Sequence, residues 1–225
     1  MSRRSGTTLV AKPKRSCARR ASTGRASLPA RTRRLRQRSH ASKRRRRTVT
    51  EDDRVGLVQV YTGDGKGKTT AAVGLAVRAA GAGLRVLFLQ FVKGGERSSE
   101  LAMLERLGIA VERPARESTG LLAGGATDED RRAAEEALSI AERAIASGSY
   151  DLVVLDEACV AAAHGLLDEA RLLQAIAARP VHVEVVLTGR GASEAVLEAA
   201  DLVTEMRSHK HPFERGVPAR KGIEF

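Results

Sequence analysis

Apolar residues fall without period through residues 1–53 and become regular only from Gly56 onward. Residues 56–62 (GLVQVYT) and 84–91 (LRVLFLQF) are short apolar runs that predict strands, with a Gly-rich turn and a helix over residues 69–80 between them. In that helix Val73, Ala76, Val77 and Ala80 share one face at helical spacing. Residues 98–107 predict a short helix and 109–112 a short strand. Thr127 precedes three acids, Asp128, Glu129 and Asp130, which suit the positive end of a helix running to about Ser147. Residues 151–155 (DLVVL) form a run with no polar alternation. A helix over 168–178 stopped by Pro180, a strand over 181–187, a helix over 193–200 and a strand over 202–205 complete the pattern.

Strand and helix alternate throughout, and runs such as LVVL and VEVVL are apolar on both faces. This is the signature of an α/β three-layer sandwich whose mainly parallel central sheet is covered on both sides. Ligands in such folds bind beyond the carboxyl ends of the strands, which directs attention to residues 62–70, 91–95, 156–157 and 188–191.

Charge divides the chain in two. Residues 1–50 carry 18 of the 39 Lys and Arg and none of the 27 Asp and Glu, so the overall charge of +12 belongs to this segment and the remainder is mildly acidic. Clusters such as residues 43–47 repel one another, and too little apolar surface is at hand to offset the entropy of ordering; residues 1–53 are expected to be a disordered basic tail and 54–225 the folded domain. Four origins stay open for the tail: a phosphate-neutralising arm, an organelle transit peptide, translation from an early start codon, or a solvated extension without a role. Cys17 and Cys159 are the only cysteines, which gives no disulfide framework or zinc spacing and suits a reducing, cytoplasmic setting. No apolar run approaches the ~18 residues of a membrane span.

The chemistry concentrates in two places. Thr62-Gly63-Asp64-Gly65-Lys66-Gly67-Lys68-Thr69-Thr70 lies between a strand and a helix, the context a phosphate-binding loop needs. Its glycines let backbone N–H groups face one centre, the helix N-terminus adds partial positive charge, Lys68 reaches phosphate oxygens, and the Thr69 hydroxyl can ligate Mg²⁺. The spacing is a variant, because Thr62 stands where the usual consensus has its first Gly. The second place is residues 151–157 (DLVVLDE), an apolar strand ending in Asp156 and Glu157, which resembles a Walker B strand and sets two hard oxygen donors beside the metal. Taken alone, the acid pair is equally a solvent-facing strand end. Together the two motifs define a protein that handles a Mg-nucleotide, with phosphoryl transfer the default reaction.

Longer stretches narrow this. GDGKGKTTAAVGLAVRAAGAGLRVLFLQFVKGGE, LVVLDE, VVLTGRGA and the ending KHPFERGVPARKGIEF together resemble the ATP:cob(I)alamin (corrinoid) adenosyltransferase family of the P-loop class, from about Gly56 to Phe225. The resemblance implies attack by Co(I) of a reduced corrinoid on the 5′ carbon of ATP, with triphosphate leaving and ATP lying in the loop in a reversed sense. It implies that residues 63–70 hold the triphosphate with Lys68 as chief cation. Thr69 and Glu157 would hold Mg²⁺ (or Mn²⁺), supported by Asp156, and Lys93 and Arg190 would lie near the nucleotide. It also implies an electron donor that reduces cobalt, and a homodimer. Better-known members carry aromatic wedges for the corrinoid before the long helix. Here the corresponding residues, about 120–128, offer Leu121, Leu122 and Ala123, and Ala158, Cys159 and Val160 follow the acid pair where polar and aromatic residues are usual. Cys159 and His211 are expected to be structural, and His164 and His182 to lie at the surface or an edge. The competing readings are a P-loop ATPase or phosphotransferase with another acceptor, and a nucleotide-dependent or nucleic-acid-binding protein whose tail makes the contacts.

Overall fold

The computed structural model describes residues 54–92, 98–114 and 125–224. The expectations for residues 1–53, for Lys93 and for Leu121 and Leu122 lie outside the described residues. Six strands, β1 (Val58–Thr62), β2 (Val86–Gln90), β3 (Ala110–Glu112), β4 (Leu152–Asp156), β5 (Glu184–Thr188) and β6 (Leu202–Glu205), form one sheet in the order β3-β2-β4-β5-β1-β6. Every pairing is parallel. All loops that follow the strands therefore emerge along one edge.

Alternate strand residues build the two core layers. Val58, Val60, Leu87, Leu89, Val153, Leu155, Val185 and Leu187 face one side, where they meet α3 (Asp128–Ser147), α4 (Ala158–Ala163), α5 (Glu169–Ala177) and α6 (Glu194–Glu198). Val86, Phe88, Leu152, Val154 and Val186 face α1 (Lys68–Gly81) and α2 (Ser99–Arg106). With both faces covered, β2 and β4 are buried at every position, which is why their sequences lack alternation. α3 begins as its acids require. The Thr127 hydroxyl accepts from the Asp130 N–H while the Asp130 carboxylate accepts from the Thr127 N–H, a reciprocal cap that satisfies two otherwise orphan donors.

Three local expectations need correction. The inward face of α1 is Ala72, Ala76 and Ala79, not the stripe through Val73 and Val77; Val77 is 39% exposed. Between Ala71 and Val77 the helix is small or apolar at every position, so its sequence cannot say which stripe wins. Methyl side chains allow the closest approach to the sheet, and the alanines take it. The run at 181–187 becomes strand only at Glu184. Pro180 accepts from the Val183 N–H and holds Val181 outside the sheet, 70% exposed. The helix α4 and a 3-10 turn over Pro212–Arg215 were not anticipated. No helix among the described residues is long and apolar enough to cross a membrane.

Candidate nucleotide site

The loop after β1 folds against the end of β6. Gly65 donates its N–H to the Met206 carbonyl at 2.6 Å. At Gly63, φ is +91° and a Cβ would lie 2.5 Å from the Met206 oxygen, so no larger residue fits. α1 then starts at Lys68 with no side-chain cap and no acid in its first turn. Its first N–H groups thus face the loop without a competing side-chain anion, the arrangement that favours an incoming one. Lys68 folds back into this loop: its Nζ donates to the carbonyls of Gly63 at 2.7 Å and Gly65 at 2.8 Å, and the residue is 8% exposed. Burial, chiefly, and then the charge of Arg190 push the Lys68 ammonium below the usual lysine range, while Glu157 and Asp64 pull it back up. Arg190, Glu157 and Asp64 thus each act electrostatically on Lys68. Arg190 is exposed and donates to the Asp64 carbonyl at 3.3 Å, which places its guanidinium at the loop.

The acid pair sits two strand positions away, because β5 lies between β1 and β4. Asp156 is fully buried, with both carboxylate oxygens engaged. One accepts from the Thr188 hydroxyl at 2.7 Å, the other from the Gln90 side-chain amide at 3.0 Å. The same Thr188 oxygen accepts the Glu157 N–H at 3.0 Å. Glu157 is the sole non-glycine with positive φ, at 60°, among the described residues. A left-handed backbone at such a residue costs roughly 1–2 kcal/mol and persists only where its surroundings hold it. The hydroxyl of Thr188, pinned by Asp156, is what holds it. Glu157 thus turns out of the strand at the sheet's carboxyl edge, half-buried, while Asp156 stays in the core.

Thr188 and Gln90 were not singled out in the sequence, although each is the polar residue that ends an apolar strand at the ligand edge, and that signal was available. Gly189 follows with φ +138°, and a Cβ there would come 2.8 Å from the Val160 nitrogen. This close approach seats α4 under the Arg190 turn. Cys159 is buried, its thiol pushed up to about 12 chiefly by burial, which suits a core residue and not a nucleophile. His211 caps the 3-10 turn through Nδ1, which accepts from the Phe213 N–H at 3.3 Å. His164 is exposed, and half-buried His182 meets the Gly148 carbonyl through Nε2. Among the described residues no three His, Cys, Asp or Glu gather in a way that could hold a metal ion.

A glycine loop with a buried lysine at a helix N-terminus, an acid-ended strand two places away, and a parallel sheet whose central strands are covered on both faces define a P-loop nucleotide-binding α/β protein. The family model described as ATP:corrinoid adenosyltransferase BtuR/CobO/CobP matches residues 54–225, and the chain belongs to that family. The chain is 38% identical over 199 residues to a corrinoid adenosyltransferase of Pseudomonas aeruginosa, covering 83% of this chain and 95% of that protein. It is also 38% identical over 185 residues to corrinoid adenosyltransferases of Escherichia coli K12 and Salmonella typhimurium, in each case covering 80% of this chain and 90% of the relative.

Proposed function

We propose that this protein transfers the 5′-deoxyadenosyl group of ATP to the Co(I) of a reduced corrinoid, releasing triphosphate, in the synthesis or salvage of adenosylcobalamin. The observation that carries the reading is the loop at Gly63–Thr70, with Lys68 inside it and Arg190 and Glu157 acting on Lys68. Co(I) is itself a strong nucleophile, so the reaction needs no general base. It needs alignment of cobalt with C5′ and stabilisation of the charge that the departing oxygen acquires. The Co–C bond forms with the electron pair of cobalt as the C5′–O bond breaks, and the triphosphate leaves with that bond's electrons.

In this reading residues 63–70 wrap the triphosphate with backbone N–H groups. Lys68 exchanges its carbonyl partners for phosphate oxygens, whose negative charge restores the pKa that burial lowers. Arg190 adds a second cation from the β5 edge, and Lys93, which follows β2 in the sequence, a third. Leu121 and Leu122 take the place of the aromatic wedge against the corrinoid. The donor set suits a hard divalent ion such as Mg²⁺ or Mn²⁺, which takes a few protein oxygens and fills its shell with phosphate and water. Thr69 and Glu157 would hold it, with Asp156 fixing Glu157 through Thr188. Such an ion neutralises charge on the leaving triphosphate. Because the acceptor is consumed as Co(I), the reaction draws on an electron donor that reduces cobalt. A homodimer and a cytoplasmic setting complete the proposal, and sedimentation of the purified chain tests the first of these.

The deciding assay supplies ATP, Mg²⁺ and chemically reduced cobalamin. The expected products are triphosphate and a light-sensitive Co–C adduct. Release of ADP or orthophosphate in step with turnover would instead identify an ATPase or phosphotransferase. Lys68→Ala is expected to abolish transfer in a protein that still folds, and near-normal turnover in that variant would remove the loop from the mechanism.

A further inference from the structure

The three glycines of the loop all rest on one residue. A Cβ at Gly63 would lie 2.5 Å from the Met206 carbonyl oxygen, one at Gly65 2.7 Å from the Met206 carbonyl carbon, and one at Gly67 3.3 Å from the Met206 Sδ. Met206 also donates its N–H to the Thr62 carbonyl at 2.8 Å and accepts the Gly65 N–H at 2.6 Å. It follows the last residue of β6, so the pairing of β6 with β1 sets it against the loop. Its backbone thus fixes the first half of the turn, while its thioether stands against the bare backbone of Gly67, the N-cap of α1, where φ is +117°. Met206 is half-buried and not sealed in the core, and nothing in the reaction proposed above uses its sulfur. The chain has three methionines. Of these, Met103 stands on α2 and is 51% exposed, with no such seat against the loop glycines. Among the described residues the one other sulfur is Cys159, whose buried thiol, pushed up to about 12, offers little thiolate to an oxidant.

We propose that Met206 is a site of reversible oxidation, where hydrogen peroxide converts the thioether to a sulfoxide and so loosens the phosphate loop. The sulfur attacks one peroxide oxygen, the O–O bond breaks, that oxygen stays on sulfur and the other leaves as water. Sulfur is oxidised by two electrons and the peroxide is reduced by the same two. The product side chain is polar, chiral and carries an acceptor oxygen, in a space bounded by the backbone of Gly67. That oxygen either takes a loop N–H that a phosphate would use or swings the side chain away from Gly67, and both weaken the hold on an anion. The consequence for function rests on the loop binding a triphosphate, as argued above. On that reading the acceptor also supplies the oxidant, because Co(I) that meets dioxygen passes two electrons to it and, with two protons, forms peroxide.

The test treats the full chain and its Met206→Leu variant with graded hydrogen peroxide. At each dose three quantities are read: oxygen gained at Met103 and Met206 by peptide mass spectrometry, amide hydrogen exchange over residues 60–70 without ligand, and MgATP affinity by calorimetry. Each protein is compared with its own untreated sample, so oxidation at Met103 and in residues 1–53, common to both, cancels. As Met206 sulfoxide accumulates in the parent, the loop amides should exchange about tenfold faster or more, and MgATP should bind about tenfold or more weakly. Met206→Leu should hold both quantities at its own untreated values, and a methionine sulfoxide reductase should restore the parent. Complete sulfoxide at Met206 with unchanged exchange and affinity overturns the proposal. So does an equal loss in Met206→Leu, which would put the damage at another residue, or a Met206 that stays unmodified while Met103 is fully converted. A parent that binds no MgATP before treatment refutes the loop reading itself, and the ligand-free exchange still decides whether Met206 controls the loop.

Discussion

Replacing Thr188 by Val removes one oxygen and almost nothing else. The methyl groups of Val fill the same volume in a position that is fully buried. Two bonds go with that oxygen: the one donated to Asp156 at 2.7 Å and the one accepted from the Glu157 N–H at 3.0 Å. A hydrogen bond to a carboxylate is worth about 1.5–3 kcal/mol, and leaving a partly buried N–H without a partner costs about 1–3 kcal/mol. The combined loss is roughly 3–5 kcal/mol, a large part of the ~5–15 kcal/mol that holds an ordinary domain together. At about 2–4 °C per kcal/mol for a domain of this size, Tm should fall by roughly 6–20 °C while the protein remains folded at 25 °C. The second readout is local. Without its clamp, Glu157 relaxes from its left-handed backbone, and Mn²⁺ affinity in the presence of ATP should drop by about tenfold or more. Thr188→Ser, which keeps the oxygen, should preserve metal affinity and lose only the packing of one methyl. Thermal melts and a Mn²⁺ titration on the three proteins measure both effects. A Thr188→Val protein that melts within about 2 °C of the parent and binds Mn²⁺ equally well would show that this hydroxyl holds nothing in place.

Other perturbations probe the frame around the site. Gly189→Ala places a Cβ 2.8 Å from the Val160 backbone at φ +138°, and should cost about 2–4 kcal/mol in a denaturant titration. Gly74→Ala, in α1 with nothing within 4 Å, should instead gain about 0.5–1 kcal/mol, and equal effects at the two positions would contradict the packing described. Asp151 lies under opposing influences: burial raises its carboxyl, but hydrogen bonds from Arg85 and the charge of Arg54 outweigh it and leave the pKa below its ordinary 3.8. Its stabilisation is therefore present above that unfolded value and lost as pH falls through the lower folded one. Asp151→Asn should cost about 1 kcal/mol at pH 7, with solvent screening the exposed guanidinium of Arg85, and the gap should close as pH falls through the lowered folded value. A gap that persists at low pH would point to packing instead of charge. Removing residues 1–50 should leave adenosyl transfer untouched, and loss of turnover in a truncated protein that still folds would undo the assignment of activity to residues 54–225.

What could be read in advance follows from what repeats along a chain. Strand apolarity, the Thr127 cap and the Gly63–Thr70 turn are each written in consecutive residues, and each stands in the structure where the sequence puts it. The identity of the inward stripe of α1 is not so written, because Ala72 and Val73 differ by a rotation that only the neighbouring sheet can decide. Nor is the left-handed Glu157, a conformation imposed by a hydroxyl 31 positions downstream and invisible to local propensity. The short helix α4 is hidden for the same reason: six residues following an irregular turn carry too little period to register. The place of Met206 escaped notice because it looks like a solvated loop residue until β6 is known to lie against β1.

That last adjacency also bears on how the substrates meet. Along the carboxyl edge of the sheet the order runs from Asp156 and Glu157 on β4, through Thr188 and Arg190 at β5, to the loop on β1, with β6 beyond it. Neighbouring strands are about 4.8 Å apart, so β4 and β1 are separated by about 10 Å, the interval that Thr188 and Arg190 span. If the outermost phosphate lies toward β6, the ribose end of ATP points back along the row toward β4 and β2. The chain leaves β2 and β3 on that same side. A flat macrocycle would then approach from the β2 side, facing C5′ with the leaving triphosphate held behind it. Attack on C5′ must come from the face away from the departing oxygen, so if the loop on β1 holds the triphosphate, the sheet order sets the acceptor toward the β4 and β2 end of the edge.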